Sequence, residues 1–296
     1  MTSRASVKEG QSGTKFNGGL ALNQSKKKIP DLAEAGKYVE DISVSLGYRI
    51  IDLFSGQLYS NPSKAIEELI VNSFDAFAPQ CQVIIPDNLE DPGATVLVWD
   101  NGESMDKDGL QELWMIAESH KRDADREKVA EKRGRLPIGR FGIGKLASYV
   151  IGHRISHICK HDGTYLIVTM DYSGLIPDET ELATVIKENP KIKETKLKVR
   201  ELSESQAREL LDFCVSGNLA GGVKLPLFGK ESPKSWTLVI VDHLKEKVRE
   251  IHRGSLTWII STALPLVPDF GVVLNGVKVE PSKLKQKVFY VLSSFG

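Results

Sequence analysis

The chain has 296 residues, 41% hydrophobic and 26% charged, which suits one large domain or two small ones and excludes a disordered chain. Lys plus Arg and Asp plus Glu are 39 each, so no global basic field draws nucleic acid and only a local patch stays open. Cys81, Cys159 and Cys214 lie far apart with no CxxC pair, there is no apolar run near the roughly 20 residues that span a bilayer, and Met1–Gln24 lacks a signal-type apolar core. These features argue against a disulfide scaffold, a structural zinc site and a membrane protein, and for a reducing, cytoplasmic setting.

Residues 1–30 are rich in Ser, Lys, Gly, Asn and Gln and read as a flexible N-terminal arm. Asp31–Leu46 is weakly helical. Asn61-Pro62-Ser63 is a helix start, and a strong helix is expected from Ser63 to Ala78, ended by Pro79. Two β-rich runs, Gln82–Ile85 and Thr95–Trp99, flank a turn-rich stretch, and a short helix is expected over Leu110–Ala117. Glu118–Arg135 is charged and almost core-free, either a flexible loop or a solvated helix. Gly139–Gly144 is a glycine-rich turn opening a helix, Lys145–Ile151. Ile155–Lys160 and Tyr165–Met170 are expected as paired strands about an Asp162-Gly163 turn. Residues 171–235 are more polar and hold one helix, Ser203–Val215, capped by Ser203. A buried strand, Trp236–Val241, a long helix, Lys245–Ala263, and a hairpin about Asn275-Gly276 complete the chain. Strands mixed with helices without a βαβ rhythm indicate an α+β fold, a mixed sheet with helices on one face. The four tryptophans, Trp99, Trp114, Trp236 and Trp258, lie in apolar runs and are expected in the core. His153, His157 and His161 share one face of a strand, a spacing that imitates a metal site but is more plainly that of ordinary strand histidines.

Three stretches carry chemistry. On a helix, Glu68, Asn72 and Asp75 fall in one narrow sector, opposite Ile66, Ile70, Phe74 and Phe77, while Glu67 lies off it. A carboxylate and an amide one turn apart suit a hard cation and a positioned water, and they equally suit a solvated helix face. In Val96-Leu-Val-Trp-Asp100-Asn-Gly102-Glu-Ser-Met105 an apolar strand runs into an Asp and a glycine turn. That carboxylate can accept a hydrogen bond from an amino group on a flat ligand, or serve the turn alone. Gly139-Arg-Phe-Gly142-Ile-Gly144-Lys145 is a GxxGxG run entering a helix, where free backbone N–H groups make an anion site. Lys145 either adds a point charge there or is solvated. The spacing matches neither the P-loop nor the dinucleotide fingerprint.

In this order the three stretches resemble the N-box, the DxGxG-type box and the GxxGxG box of the GHKL ATPases, a superfamily of gyrase B subunits, ninety-kilodalton heat-shock chaperones, histidine kinases, MutL and MORC proteins. The style is closest to the chaperone and MORC-like domains, and the resemblance covers about residues 48–280. Ser235-Trp-Thr237-Leu-Val-Ile240 resembles the late strand whose Thr helps hold the adenine-bound water. Two positions depart from the pattern: Ser104 stands where the second glycine of DxGxG is usual, and Trp236 where a glycine often precedes the Thr. The resemblance implies a two-layer α+β sandwich, the Bergerat-type ATP-binding fold, over residues 31–296, with an ATP lid at 118–138 and a variable insertion at about 171–234. It implies ATP and Mg²⁺ as ligands, Glu68 as general base, Asn72 as the Mg²⁺ ligand and Asp75 as a support. Asp100 and Gly102 would form the adenine turn, Met105 would pack on the base, and Gly139, Gly142 and Gly144 with Lys145 would wrap the phosphates. Lys121, Arg122 and Arg140 are the other basic residues placed to meet phosphate, although for Lys121 and Arg122 a solvated lid face is the favoured reading.

The function expected is an Mg-dependent ATPase driving a conformational and dimerisation switch, as a homodimer closed by ATP, with a client protein or DNA as further partner and no membrane. The alternatives are a nucleotide-sensing module with little turnover and a DNA-associated or defence-complex ATPase. A histidine kinase fits less well, since Glu68 is not needed there and no acceptor-His helix precedes Asn72. For DNA, only Ser25–Lys28 and the 121–135 charge cluster speak.

Overall fold

The computed structural model describes residues 30–47, 61–114, 135, 138, 148–173, 192–216, 219–264 and 268–282. They form a nine-stranded sheet with helices. The strands are β1 (Lys37–Gly47), β2 (Gln80–Ile84), β3 (Val96–Asp100), β4 (Gly152–His161), β5 (Thr164–Asp171), β6 (Ile192–Leu202), β7 (Trp236–Leu244), β8 (Gly271–Leu274) and β9 (Val277–Val279). Their order across the sheet is β1-β6-β5-β4-β7-β3-β2-β8-β9. All pairs are antiparallel except β2 with β8, which makes the sheet mixed.

The helices are α1 (Pro62–Asp75), α2 (Lys107–Trp114), α3 (Glu204–Leu210), α4 (Asp212–Val215) and α5 (Arg253–Ala263). The larger core lies on the sheet face that α1, α2 and α5 cover: Ile66, Ile70 and Phe74 from α1, Leu110 and Trp114 from α2, Leu256 and Ile260 from α5, over Val83, Val98, Ile155, Val168, Val199 and Val241. A second cluster on the opposite face joins Trp99, Ile158, Ile167, Trp236, Leu238 and Ile240 to Ala207 and Cys214 of the short α3–α4 pair. The α+β sheet-and-helix architecture expected from sequence is therefore present, with α3–α4 as a smaller cover on its far side. Burial on both faces explains why β3 is apolar at every residue from Val96 to Trp99 instead of alternating.

Local chemistry accounts for most ends and turns. Asn61 caps α1 by accepting from the Ser63 N–H at 2.8 Å, with Pro62 in the first turn. Ser203 and Gln206 form a reciprocal capping box on α3. Both expected hairpin turns have φ positive at both central residues, Asp162 and Gly163 at 46° and 79°, Asn275 and Gly276 at 47° and 81°.

Five expectations are corrected. Asp31–Leu46 is a 3-10 turn, Leu32–Glu34, and then the eleven-residue strand β1, because Ile42 and Val44 alternate inward and β6 pairs with it along its length. That partner, β6, lies in the polar stretch where the sequence reading placed only a helix. The α1 helix stops at Asp75 and not at Ala78. Its end has Ala78 N–H bonded to the Ser73 carbonyl at 3.1 Å and Phe77 N–H to Phe74 at 3.0 Å, with Phe77 left-handed at φ 57° where glycine is usual. Lys245–Ala263 is not one helix: a 3-10 turn, Glu246–Glu250, precedes an extended step at Ile251–His252, which lets Val248, Ile251 and Leu256 all reach the same core. Trp258 is 67% exposed on the outer face of α5, whereas Trp99, Trp114 and Trp236 are in the core. No helix among the described residues is long and apolar enough to cross a membrane.

Candidate functional site

α1 turns Ile66, Ile70 and Phe74 into the core and leaves Asn72 exposed, with Glu68 and Asp75 half-buried. Glu67 is engaged elsewhere, in an ion pair with Lys64 one turn back at 2.6 Å. Asp75 Oδ1 accepts from the Ile138 N–H at 2.9 Å, so α1 holds the backbone immediately before the glycine run. Gly139, Gly142, Gly144 and Lys145 lie outside the described residues, as do Lys121, Arg122, Arg140 and the first 29 residues. Of the expected 118–138 lid, Arg135 and Ile138 are described. Arg135 is not a surface charge: it is 6% exposed, donates to the Ala78 carbonyl at 3.0 Å and stacks on Phe74 and Phe270 at 3.9 and 4.9 Å from the ring centres. It therefore leaves the 121–135 basic cluster that the sequence offered to DNA.

The floor of the site is a row of side chains across four strands. Cys81 on β2 is the register partner of Asp100 on β3, Asp100 of Thr237 on β7, and Thr237 of Cys159 on β4. Register partners point to the same face, so the four rise together on the α1 side of the sheet. Asp100 is 5% exposed. Its Oδ1 accepts from the Gly102 N–H at 2.9 Å and its Oδ2 from the Ser73 hydroxyl at 3.2 Å. Burial pushes its carboxyl from an ordinary 3.8 up to about 6, and the Gly102 and Ser73 bonds restrain that rise. Burial also raises the flanking thiols, Cys159 to about 12, so both stay protonated and unreactive at neutral pH.

The turn after Asp100 is fitted to the end of α1. The Ala76 carbonyl accepts from the Glu103 N–H at 3.0 Å, and a Cβ on Gly102 would lie 2.6 Å from that same oxygen. Gly102→Ala should therefore cost about 1–3 kcal/mol of stability, read as a clear fall in Tm; a melt equal to the wild type would show that the turn yields freely. The Gly102 carbonyl accepts from Ser235 at 2.6 Å, which ties the turn to the start of β7. Ser104 takes the left-handed conformation at φ 59°, which costs a non-glycine residue about 1–2 kcal/mol. Its hydroxyl donates to the Trp236 carbonyl at 2.8 Å and accepts from Thr237 at 3.2 Å. Met105 is half-buried against the core beside them.

The geometry thus brings Asp100, Gly102, Met105 and Thr237 to one place. Ser73 and Ser235 were missed in the sequence. Ser73 had a signal, a hydroxyl on the apolar side of α1 one residue past Asn72. His153, His157 and His161 do not converge: His157 packs edge-on against Trp114, and His161 reaches the Glu103 carbonyl at 3.1 Å.

The sequence profile of the histidine kinase-, DNA gyrase B- and HSP90-like ATPases matches residues 59–207, half of the chain. The chain belongs to this ATPase family. The matched span begins just before α1 and takes in Glu68, Asn72, the Asp100 turn and the glycine run, while Thr237 lies beyond it. Relatives include the chaperone protein HtpG of Mycolicibacterium vanbaalenii, 28% identical over 190 residues, 55% of this chain and 29% of that protein. HtpG of Rickettsia prowazekii is 26% identical over 159 residues, 52% and 25% of the two chains. HtpG of Buchnera aphidicola is 26% identical over 141 residues, 46% and 22%. The matched region is less than a third of the length of each HtpG.

The donor set suits the ligands of such an ATPase. Asp100 is a buried carboxylate, each oxygen holding one protein hydrogen bond with lone pairs to spare. Asn72 and Glu68 offer hard oxygen donors on one helix face. Mg²⁺ needs few protein ligands, since it keeps waters and takes phosphate oxygens.

Proposed function

We propose that this domain binds ATP with Mg²⁺ between α1, the Asp100 turn and the Gly139–Gly144 run, and hydrolyses it. The observation that carries the reading is the buried Asp100 carboxylate on the sheet floor beside Thr237, within a turn shaped by Gly102. Asp100 accepts from the adenine amino group and Met105 packs on the base. Asn72 would hold Mg²⁺, which supplies charge neutralisation on the phosphates. Gly139, Gly142, Gly144 and Lys145 meet the phosphates through backbone N–H groups and one ammonium, and Asp75 steadies the approach to that run. Glu68, one turn before Asn72, orients the attacking water and takes its proton. Such chemistry needs positioning and charge, not a covalent nucleophile.

At the next level the domain is a switch. ATP orders the 118–138 lid and favours a homodimer that the 1–30 arm helps to join, with 171–234 as a variable insertion. The output is chaperone-like or MORC-like action on a client protein or on DNA in the cytoplasm. Titration calorimetry with ATP and a non-hydrolysable analogue, beside a phosphate-release assay, tests the reading. Binding with Mg²⁺-dependent phosphate release is expected. Binding without release would make the domain a nucleotide sensor, and absence of binding would overturn the site.

A further inference from the structure

Ser104 carries a side chain in a left-handed turn where glycine would sit without strain, and its hydroxyl both donates and accepts a hydrogen bond. A hydroxyl has one hydrogen. The Trp236 carbonyl can only accept, so the Ser104 proton goes to it, across 2.8 Å. Ser104 then accepts the Thr237 proton, across 3.2 Å. The Thr237 oxygen is left with lone pairs alone for any further partner. Its neighbour in register, Asp100, is an acceptor as well when ionised, and both rise from the same face of the sheet. The thiol of Cys159, protonated at neutral pH, lies against the same two hydroxyls from β4.

Resting on the reading that a nucleotide base occupies this floor, we propose that Ser104 is a specificity-determining positioning residue. It turns the Thr237 proton away from the base, so the Asp100–Thr237 wall presents acceptors only. Such a wall selects a purine with an amino group at that edge over one with a carbonyl oxygen there. Without the Ser104 hydroxyl, Thr237 is free to rotate and donate to a carbonyl oxygen, and the discrimination weakens.

The test is the ratio of ATP to GTP affinity, measured by calorimetry with non-hydrolysable analogues and Mg²⁺, for the wild type, Ser104→Ala, Ser104→Gly, Thr237→Val and the Ser104→Ala/Thr237→Val pair, with a thermal melt of each. Both Ser104 variants should lower the ratio about tenfold, the worth of one hydrogen bond, chiefly by improved GTP binding. Ser104→Gly relieves the backbone, so a lost preference in a variant that melts no lower than wild type is not a folding defect. In the Thr237→Val background the Ser104 change should have no further effect on the ratio. An unchanged ratio in both Ser104 variants that still bind ATP overturns the proposal and leaves the nucleotide site standing. A shift that persists without the Thr237 hydroxyl overturns it too. A wild type that binds neither nucleotide overturns the underlying site reading together with the proposal.

Discussion

Glu68→Ala should lower ATP turnover by about a hundredfold or more while leaving ATP affinity within a few-fold of wild type. Glu68 lies on the α1 face that also presents Asn72, and on the proposed reading its carboxylate would reach a water beside a metal-bound phosphate. Orienting that water lowers only the transition state, whereas a lost metal ligand weakens the ground state as well. Asn72→Ala should accordingly damage binding and turnover together. Glu67→Ala is the control. Its carboxylate pairs with Lys64 at 2.6 Å, a helix-surface contact worth about 0.5 kcal/mol or less, and turnover should stay nearly intact. Initial rates and calorimetry on the three variants decide the matter. Equal losses in Glu67→Ala and Glu68→Ala would refute the assignment of the helix face.

Asp100→Asn should weaken ATP binding tenfold to a hundredfold and at the same time stabilise the nucleotide-free domain by about 1–3 kcal/mol near pH 7.5. The two effects share a cause. Burial lifts the Asp100 carboxyl from 3.8 to about 6, so ionising it at neutral pH works against folding. Between about pH 4 and 6 the folded chain keeps a proton that the unfolded chain has released, and stability falls as pH rises through that window. The cost is absent below the window and complete above it. The amide of the variant can still accept from Gly102 and can donate to Ser73, but it carries no charge and turns a donor toward an amino group. Denaturant melts from pH 4 to 8 should show the variant gaining on the wild type up to about pH 6 and holding that gain above it. A variant less stable than wild type at pH 7.5 would contradict the account.

Much of this arrangement was legible in the residues. The α1 helix, the opposition of Glu68, Asn72 and Asp75 to Ile66, Ile70 and Phe74, the hairpins at Asp162-Gly163 and Asn275-Gly276, and the Ser203 cap all depend on neighbours within a few positions. The strand β1 was not legible, because Lys37–Gly47 owes its extended state to β6, 164 residues on by the register of Lys37 with Glu201. The Cys81–Asp100–Thr237–Cys159 row was hidden for the same reason: it exists only once β2, β3, β7 and β4 are set side by side in an order unlike that of the chain. In the sequence Ser104 stands only as a departure from the DxGxG pattern, and in the fold its hydroxyl bonds to Thr237 beside Asp100. Trp258 misled because its apolar run contains both faces of α5, and Leu256 and Ile260 take the inner one.

The central claim is that an adenine nucleotide lies on the Asp100 floor. Amide hydrogen exchange with and without a non-hydrolysable ATP analogue and Mg²⁺ tests it most directly. The account predicts added protection at Asp100–Met105, at Trp236–Thr237 and along the Glu68–Ala76 part of α1 and its cap. Binding that leaves these three segments unchanged, or that protects only the exposed Trp258 face of α5, would contradict it.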